Sequence, residues 1–195
     1  MTLPNLLTLS RIVLAFLLWP FLFWDFVWAK TFALVTFIVA SLTDLFDGQL
    51  ARSQKNATAF GAIMDPIADK VLILTAFFAF VRLGILPFWL VLVIFVRETI
   101  VTLLRLWVIR KGIVMPAQRA GKQKTISQIV AILYILTFLV VKSMGIRYFP
   151  FWNPTLELFF LNSSFYLALL AMVLTLISGG AYLYDLRRSL AQKQK

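Results

Sequence analysis

The sequence predicts an all-α protein made of six membrane-spanning helices. Of its 195 residues 62% are apolar and 14% are charged, and the mean hydropathy of +0.91 lies far above that of a water-soluble domain. The apolar residues gather into six runs of roughly 20, the length needed at about 1.5 Å per residue to cross a roughly 30 Å hydrocarbon layer. Short polar connections separate these runs, so one membrane-embedded domain is expected over residues 1–195.

The first run covers residues 6 to 28, after Pro4 and Asn5, and closes among Trp19, Trp24 and Trp28. It is too aromatic, and too poor in a small-residue cleavage site, for a signal peptide. The second run extends from Thr31 to Arg52, and the third from Gly61 to Val81, before a turn at Gly84 and Pro87. The fourth spans Phe88 to Ile109, the fifth Thr125 to Val141 and the sixth Ser163 to Tyr184. Gly145 to Asn162, with two prolines and several aromatics, reads as an interfacial connection. Six spans put both termini on one side. With that side cytoplasmic, the inner loops and tail hold eleven cations against four outside, at Lys30, Arg82, Lys142 and Arg147. This asymmetry favours cytoplasmic termini in an inner (plasma) membrane.

Composition narrows the chemistry. Neither Cys nor His occurs, which removes thiol nucleophiles, imidazole bases and most zinc or copper sites. The net charge of +11 fits cytoplasmic loops and anionic headgroups better than nucleic acid in so apolar a chain. Of the eight acids, four lie between positions 44 and 69 in otherwise apolar sequence: Asp44, Asp47, Asp65 and Asp69.

Asp44 and Asp47 share a helix face, which Gly48 and Ala51 continue with little bulk; Gly61, Asp65 and Asp69, spaced by four, also align. Eight residues, 53–60, separate the two motifs, so antiparallel neighbouring helices that bring the four carboxylates together are expected. Such a cluster needs compensation, because each intramembrane charge costs at least about 2.5 kcal/mol. Arg52 and Lys70 offer ion pairs; hard divalent cations, which favour all-oxygen ligands, offer more. Two such ions suit in-line displacement at phosphorus. A helix-interior glycine costs about 1 kcal/mol relative to alanine, so Gly48 and Gly61 beside the acids point to ligand access or to close helix packing.

The run Asp44-x-x-Asp47-Gly48-x-x-Ala51-Arg52, followed by Gly61-x-x-x-Asp65-x-x-x-Asp69, resembles the complete signature of the CDP-alcohol phosphatidyltransferases in residue type and spacing. The resemblance implies a six-helix membrane enzyme, a homodimer, that moves a phosphatidyl group from a CDP-lipid to a small alcohol and releases CMP. It implies that Asp44, Asp47, Asp65 and Asp69 hold two divalent ions, Mg²⁺ or Mn²⁺, with Asp69 also the base towards the acceptor hydroxyl. Thr8, Gly48, Ala51, Arg52, Thr58 and Gly61 are the implied CDP-lipid contacts.

The signature is shared by enzymes using different alcohols, among them inositol phosphate, serine and phosphatidylglycerol. The opening Leu3-Pro4-Asn5-Leu6-Leu7-Thr8-Leu9-Ser10-Arg11, the stretch Asp65 to Lys70, the pair Arg97-Glu98 with Arg105, and Gly121-Lys122-x-Lys124-Thr125 resemble the bacterial branch that uses glycerol 3-phosphate. The expected reaction joins CDP-diacylglycerol and glycerol 3-phosphate to give phosphatidylglycerophosphate and CMP, with membrane lipids as surroundings and no nucleic-acid partner. Glu98 and Arg105, seven apart, nearly eclipse on a helix, which predicts a buried pair orienting the arginine. Arg105, Arg110, Lys122 and Lys124 are the candidate grips for the acceptor phosphate; the plainer reading of the last three is positive-inside topology. A cation channel or transporter would spread polar groups through the membrane depth, whereas here the acids gather at one side.

Overall fold

The computed structural model describes the backbone of residues 3–53, 59–110, 119–148 and 152–193, and side chains within 9–43, 67–68, 70–108, 121–148 and 152–189. Every regular element among the described residues is an α-helix: α1 (Leu3–Phe23), α2 (Val27–Ser53), α3 (Ala59–Arg82), α4 (Phe88–Arg110), α5 (Arg119–Arg147) and α6 (Pro154–Lys193). The six expected apolar runs are the cores of these six helices. Among the described residues, Gly121–Arg147 and Pro154–Ser189 are long and apolar enough to cross a membrane, and Leu9–Phe23 and Val27–Thr43 are shorter apolar helices.

Two boundaries differ from expectation. The first run does not continue to residue 28: the chain bends at 24–26, and Trp28 belongs to α2. Lys30 favours this break, because its Nζ donates to the Leu22 carbonyl at the end of α1, a carbonyl that the interrupted helix would leave unpaired. The stretch from Gly145 to Asn162 is mostly helical rather than an extended connection. α5 persists through Arg147, and α6 starts at Pro154, whose fixed φ and missing N–H suit a first helical turn. Asn153 caps it, its Oδ1 accepting from the Leu156 amide at 2.8 Å.

Packing follows a stripe on each helix. Arg11, Ala15, Leu18 and Leu22 form the buried face of α1, and Ala29, Ala33, Phe37 and Ala40 that of α2. Ala15, Leu18, Leu22, Ala33, Phe37 and Ala40 join Ala76, Phe77, Ala79 and Phe80 of α3 in one core that also holds Leu90 and Ile94 of α4 and Ile132, Ile135 and Leu136 of α5. The alanines let helix backbones approach closely where no water drives association. Outside, large apolar side chains such as Phe16, Leu103, Phe159 and Leu170 are more than half exposed, as a lipid-facing surface requires.

The expected direct pairing of α2 with α3 concerns the segments 44–52 and 61–69, whose side chains lie almost wholly outside the described residues. Among the described residues these helices touch only slightly, and α1 is the main neighbour of both. Small side chains at Ala15 and Ala33 admit α1 closely, and Trp19 Nε1 ties it to α3 by donating to the Thr75 carbonyl at 3.2 Å. α5 packs on α2 and α6, and α4 on α3 and α6.

The α3–α4 turn depends on Gly84, whose φ of +72° is left-handed. The Gly84 amide donates to the Val81 carbonyl at 3.0 Å and the Ile85 amide to the Phe80 carbonyl at 3.0 Å, the pairing of a Schellman cap. A Cβ at residue 84 would meet nothing within 4 Å, so the cost of a side chain there is purely conformational. Gly84→Ala is expected to lower unfolding free energy by about 1–2 kcal/mol, read as a shifted midpoint in detergent denaturation with unchanged helix content.

Candidate active site

The signature residues occupy two uninterrupted helices. Asp44, Asp47, Gly48, Ala51 and Arg52 lie in the last three turns of α2, and Gly61, Asp65 and Asp69 in the first three turns of α3. Their spacing on helical backbone gives each set one face. The side chains of these residues, and of Thr8 in α1, lie outside the described residues, as does Thr58 altogether. The donor set, four carboxylates in a chain without His or Cys, fits hard divalent cations. No group of three metal-ligating side chains occurs among the described residues.

Immediately after Asp69 in α3, the described side chains enter a dense polar cluster. At its centre is Glu98 of α4, 4% exposed. Its Oε1 accepts from Arg97 Nη1 at 2.9 Å and from Lys124 Nζ of α5, while its Oε2 lies 3.3 Å from Lys70 Nζ of α3. The Glu98 carbonyl accepts from Lys70 Nζ at 3.1 Å and Thr102 Oγ1 at 2.6 Å. Gln128 Nε2, buried on α5, lies 3.5 Å from the carboxylate and donates to Thr175 Oγ1 of α6 at 3.0 Å. One carboxylate thus links α3, α4 and α5, and Gln128 extends the link to α6.

Charge does not balance. Lys70, Arg97 and Lys124 carry three formal positive charges around the single negative charge of Glu98. Among the described residues two of these positive charges have no carboxylate of their own, and an excess of positive charge in a mostly buried site favours an anion. Arg97 fits against α6 only because residue 179 is glycine: a Cβ there would approach Arg97 Nε to 2.8 Å. That Nε is buried and makes no hydrogen bond within the described structure.

The expected Glu98–Arg105 pair is corrected. Glu98 takes Arg97, its own neighbour in sequence, and two lysines from adjacent helices, whereas the Arg105 guanidinium lies 5.9 Å from the centroid of the Tyr182 ring of α6. The seven-residue spacing aligned Arg105 with Glu98, but two helical turns separate them along the axis by roughly 10 Å, and nearer cations saturate the carboxylate. Of the other candidate phosphate grips, Lys122 is exposed, Lys124 is on Glu98, and the Arg110 side chain is outside the described residues. Sequence reasoning missed Arg97, Gln128, Thr175 and Gly179 as members of this cluster. Polar residues inside apolar runs were the available signal for the first three.

These elements agree with what the chain is similar to. The family model described as CDP-alcohol phosphatidyltransferase matches residues 1–178. The chain belongs to this family. Among curated proteins it is 46% identical over 138 residues to a probable phosphatidylglycerophosphate synthase of Mycobacterium tuberculosis, covering 69% of this chain and 66% of that protein, just under two thirds of its length. It is 38% identical over 146 residues to the CDP-diacylglycerol–glycerol-3-phosphate 3-phosphatidyltransferase of Bacillus subtilis, covering 69% and 76% of the two chains. A Cereibacter sphaeroides protein of the same name is 38% identical over 139 residues, 67% of this chain and 61% of its own.

Neutralising Glu98 would leave three cations facing one another. Glu98→Gln is expected to destabilise the helix bundle by about 3–5 kcal/mol, the range for removing one partner of a buried ion pair, and Glu98→Asp by less. Thermal unfolding of the detergent-purified protein measures both.

Proposed function

We propose that this chain transfers the phosphatidyl group of CDP-diacylglycerol to glycerol 3-phosphate, giving phosphatidylglycerophosphate and CMP. The observation that carries the reading is the excess, among the described residues, of two positive charges around Glu98, one of them on Lys70, the residue after the signature aspartate Asp69. Family membership supports the phosphatidyl-transfer chemistry, and the names of the relatives support the acceptor.

In this reading Asp44, Asp47, Asp65 and Asp69 hold the divalent metal, Mg²⁺ or Mn²⁺, as two ions. Bound there, the metal neutralises the diphosphate of the CDP-lipid and polarises its phosphorus–oxygen bonds. Thr8, Gly48, Ala51, Arg52, Thr58 and Gly61 bind the CDP part, with the two glycines leaving room near the backbone. Asp69 accepts the proton of the acceptor hydroxyl as that oxygen attacks the phosphatidyl phosphorus, and the bond to CMP breaks. Lys124 and Arg105, with Arg110 and Lys122, hold the acceptor phosphate; Lys70 and Arg97 add to the same positive field. Glu98 is a positioning residue, setting Lys124 and Arg97 against the site rather than touching substrate.

The proposed setting is an inner (plasma) membrane crossed six times, with both termini and the site cytoplasmic, and a homodimer as the working assembly. The exposed large apolar side chains of α1, α2, α4, α5 and α6 support the spans, and the cation asymmetry supports the orientation.

Three measurements test the reading. Chelation by EDTA is expected to abolish CMP release and added Mg²⁺ or Mn²⁺ to restore it; full turnover in EDTA would overturn the metal assignment. Asp69→Asn is expected to lose most turnover while CDP-lipid binding falls much less, and near-normal turnover would move the base elsewhere. Arg105→Ala or Lys124→Ala removes a charge-assisted contact of roughly 1.5–3 kcal/mol, a roughly ten- to hundredfold rise in KM for glycerol 3-phosphate with little change for the CDP-lipid. Preference of the unaltered enzyme for serine or inositol phosphate would overturn the acceptor alone.

A further inference from the structure

At the opposite end of the bundle from the signature aspartates, the α1–α2 connection, the α3–α4 turn, the last turns of α5 and the first turns of α6 enclose a cavity of about 720 Å³. It lies apart from the transfer chemistry, yet it is not an apolar void. Asp25, Lys30, Lys142, Ser143, Arg147 and Glu157 all line it.

Existing contacts settle which of these charges are committed. Glu157 is saturated: Oε1 accepts from Lys142 Nζ, and Oε2 from Trp152 Nε1 at 3.2 Å. Lys30 is buried with its Nζ on the Leu22 carbonyl and lies in the field of Asp25. Arg147 remains. Its guanidinium is 6.0 Å from the centroid of the Phe26 ring and has no carboxylate partner among the described residues. Three cations against two carboxylates leave the lining with one net positive charge. Ser143, one turn before Arg147 on the same face of α5, supplies a hydroxyl donor beside it.

The rest of the lining is apolar, including Val27, Leu83, Ile85, Phe138, Leu139 and Leu161. Around this end of the bundle Trp24, Trp28, Trp89 and Tyr148 are each at least half exposed, the aromatic belt that marks a membrane–water boundary. A singly charged group presented at that depth, with apolar surface leading away from it, is a phospholipid headgroup with its acyl chains.

We propose that this cavity binds an anionic phospholipid, its phosphodiester held by Arg147 and Ser143 and its chains lying along Ile146 and the neighbouring apolar surface. The ion pair Lys142–Glu157 forms part of the wall, and the Arg147 cation–π contact with Phe26 helps hold the guanidinium in the lining. A soluble phosphate ester shares the headgroup chemistry but would gain nothing from the apolar lining.

The test uses the full chain in non-ionic detergent, titrated with phosphatidylglycerol or phosphatidylcholine, with bound lipids counted by native mass spectrometry. The unaltered protein is expected to hold one phosphatidylglycerol whose affinity falls about tenfold in Arg147→Gln, the loss of one charge-assisted contact. Arg147→Lys should retain most of it, and Ser143→Phe, which fills the cavity without changing charge, should lose it too. Circular dichroism establishes that each variant keeps its helix content; if Arg147→Gln does not fold, Ser143→Phe carries the comparison. Undiminished affinity in the folded variants, equal binding of phosphatidylcholine, or displacement by millimolar glycerol phosphate would overturn the proposal.

Discussion

The buried carboxylate of Glu98 is the constraint around which the second half of the molecule is arranged. A lone ionised carboxylate at this depth would be costly, as would each of the three cations around it. Together they are tolerable, and the geometry that makes them so draws Lys70 from α3 and Lys124 from α5 onto α4. Gln128 and Thr175 then draw α6 in. In a lipid environment, where apolar side chains gain little by leaving lipid for protein, such polar contacts specify which helices are neighbours. Gly179 belongs to the same arrangement, since any side chain there would evict Arg97 from its seat.

The cluster also explains why the acids and the bases of this chain sit side by side. Asp69 and Lys70 are consecutive residues of one helix, so they point to different faces about 100° apart. In the proposed reading one face serves hard metal ligands, while Lys70 turns towards Glu98. The separation lets a carboxylate site and an excess-cation site coexist within a turn without cancelling each other. A transfer that joins a diphosphate donor to a phosphorylated acceptor needs both kinds of site within the length of the acceptor molecule.

Much of this was legible in the residues. The six apolar runs located six helices because spanning length and polar connections are properties of local composition, and the spacing of Asp44, Asp47, Asp65 and Asp69 put each pair on one face of a helix because helical period is local too. Partner choice was less legible. Glu98 lies on one helix but finds its partners on three, and the helical period that aligned it with Arg105 says nothing about Lys70 or Lys124. The main neighbour of α2 among the described residues was illegible for the same reason: a short connection limits how far apart two helices lie but does not say that α1 packs on both α2 and α3. The end of α1 at Phe23 and the start of α6 at Pro154 turned on single capping interactions.

The position of α1 has a consequence in time. Among the described residues its contacts are with α2 and α3 alone, so its packing partners are complete once the chain has been synthesised to Arg82. In chain order this three-helix unit carries both halves of the aspartate signature before α4 to α6 are added. Of the cluster, Lys70 comes first, Glu98 joins with α4, and the ion pair to Lys124 closes only when α5 follows.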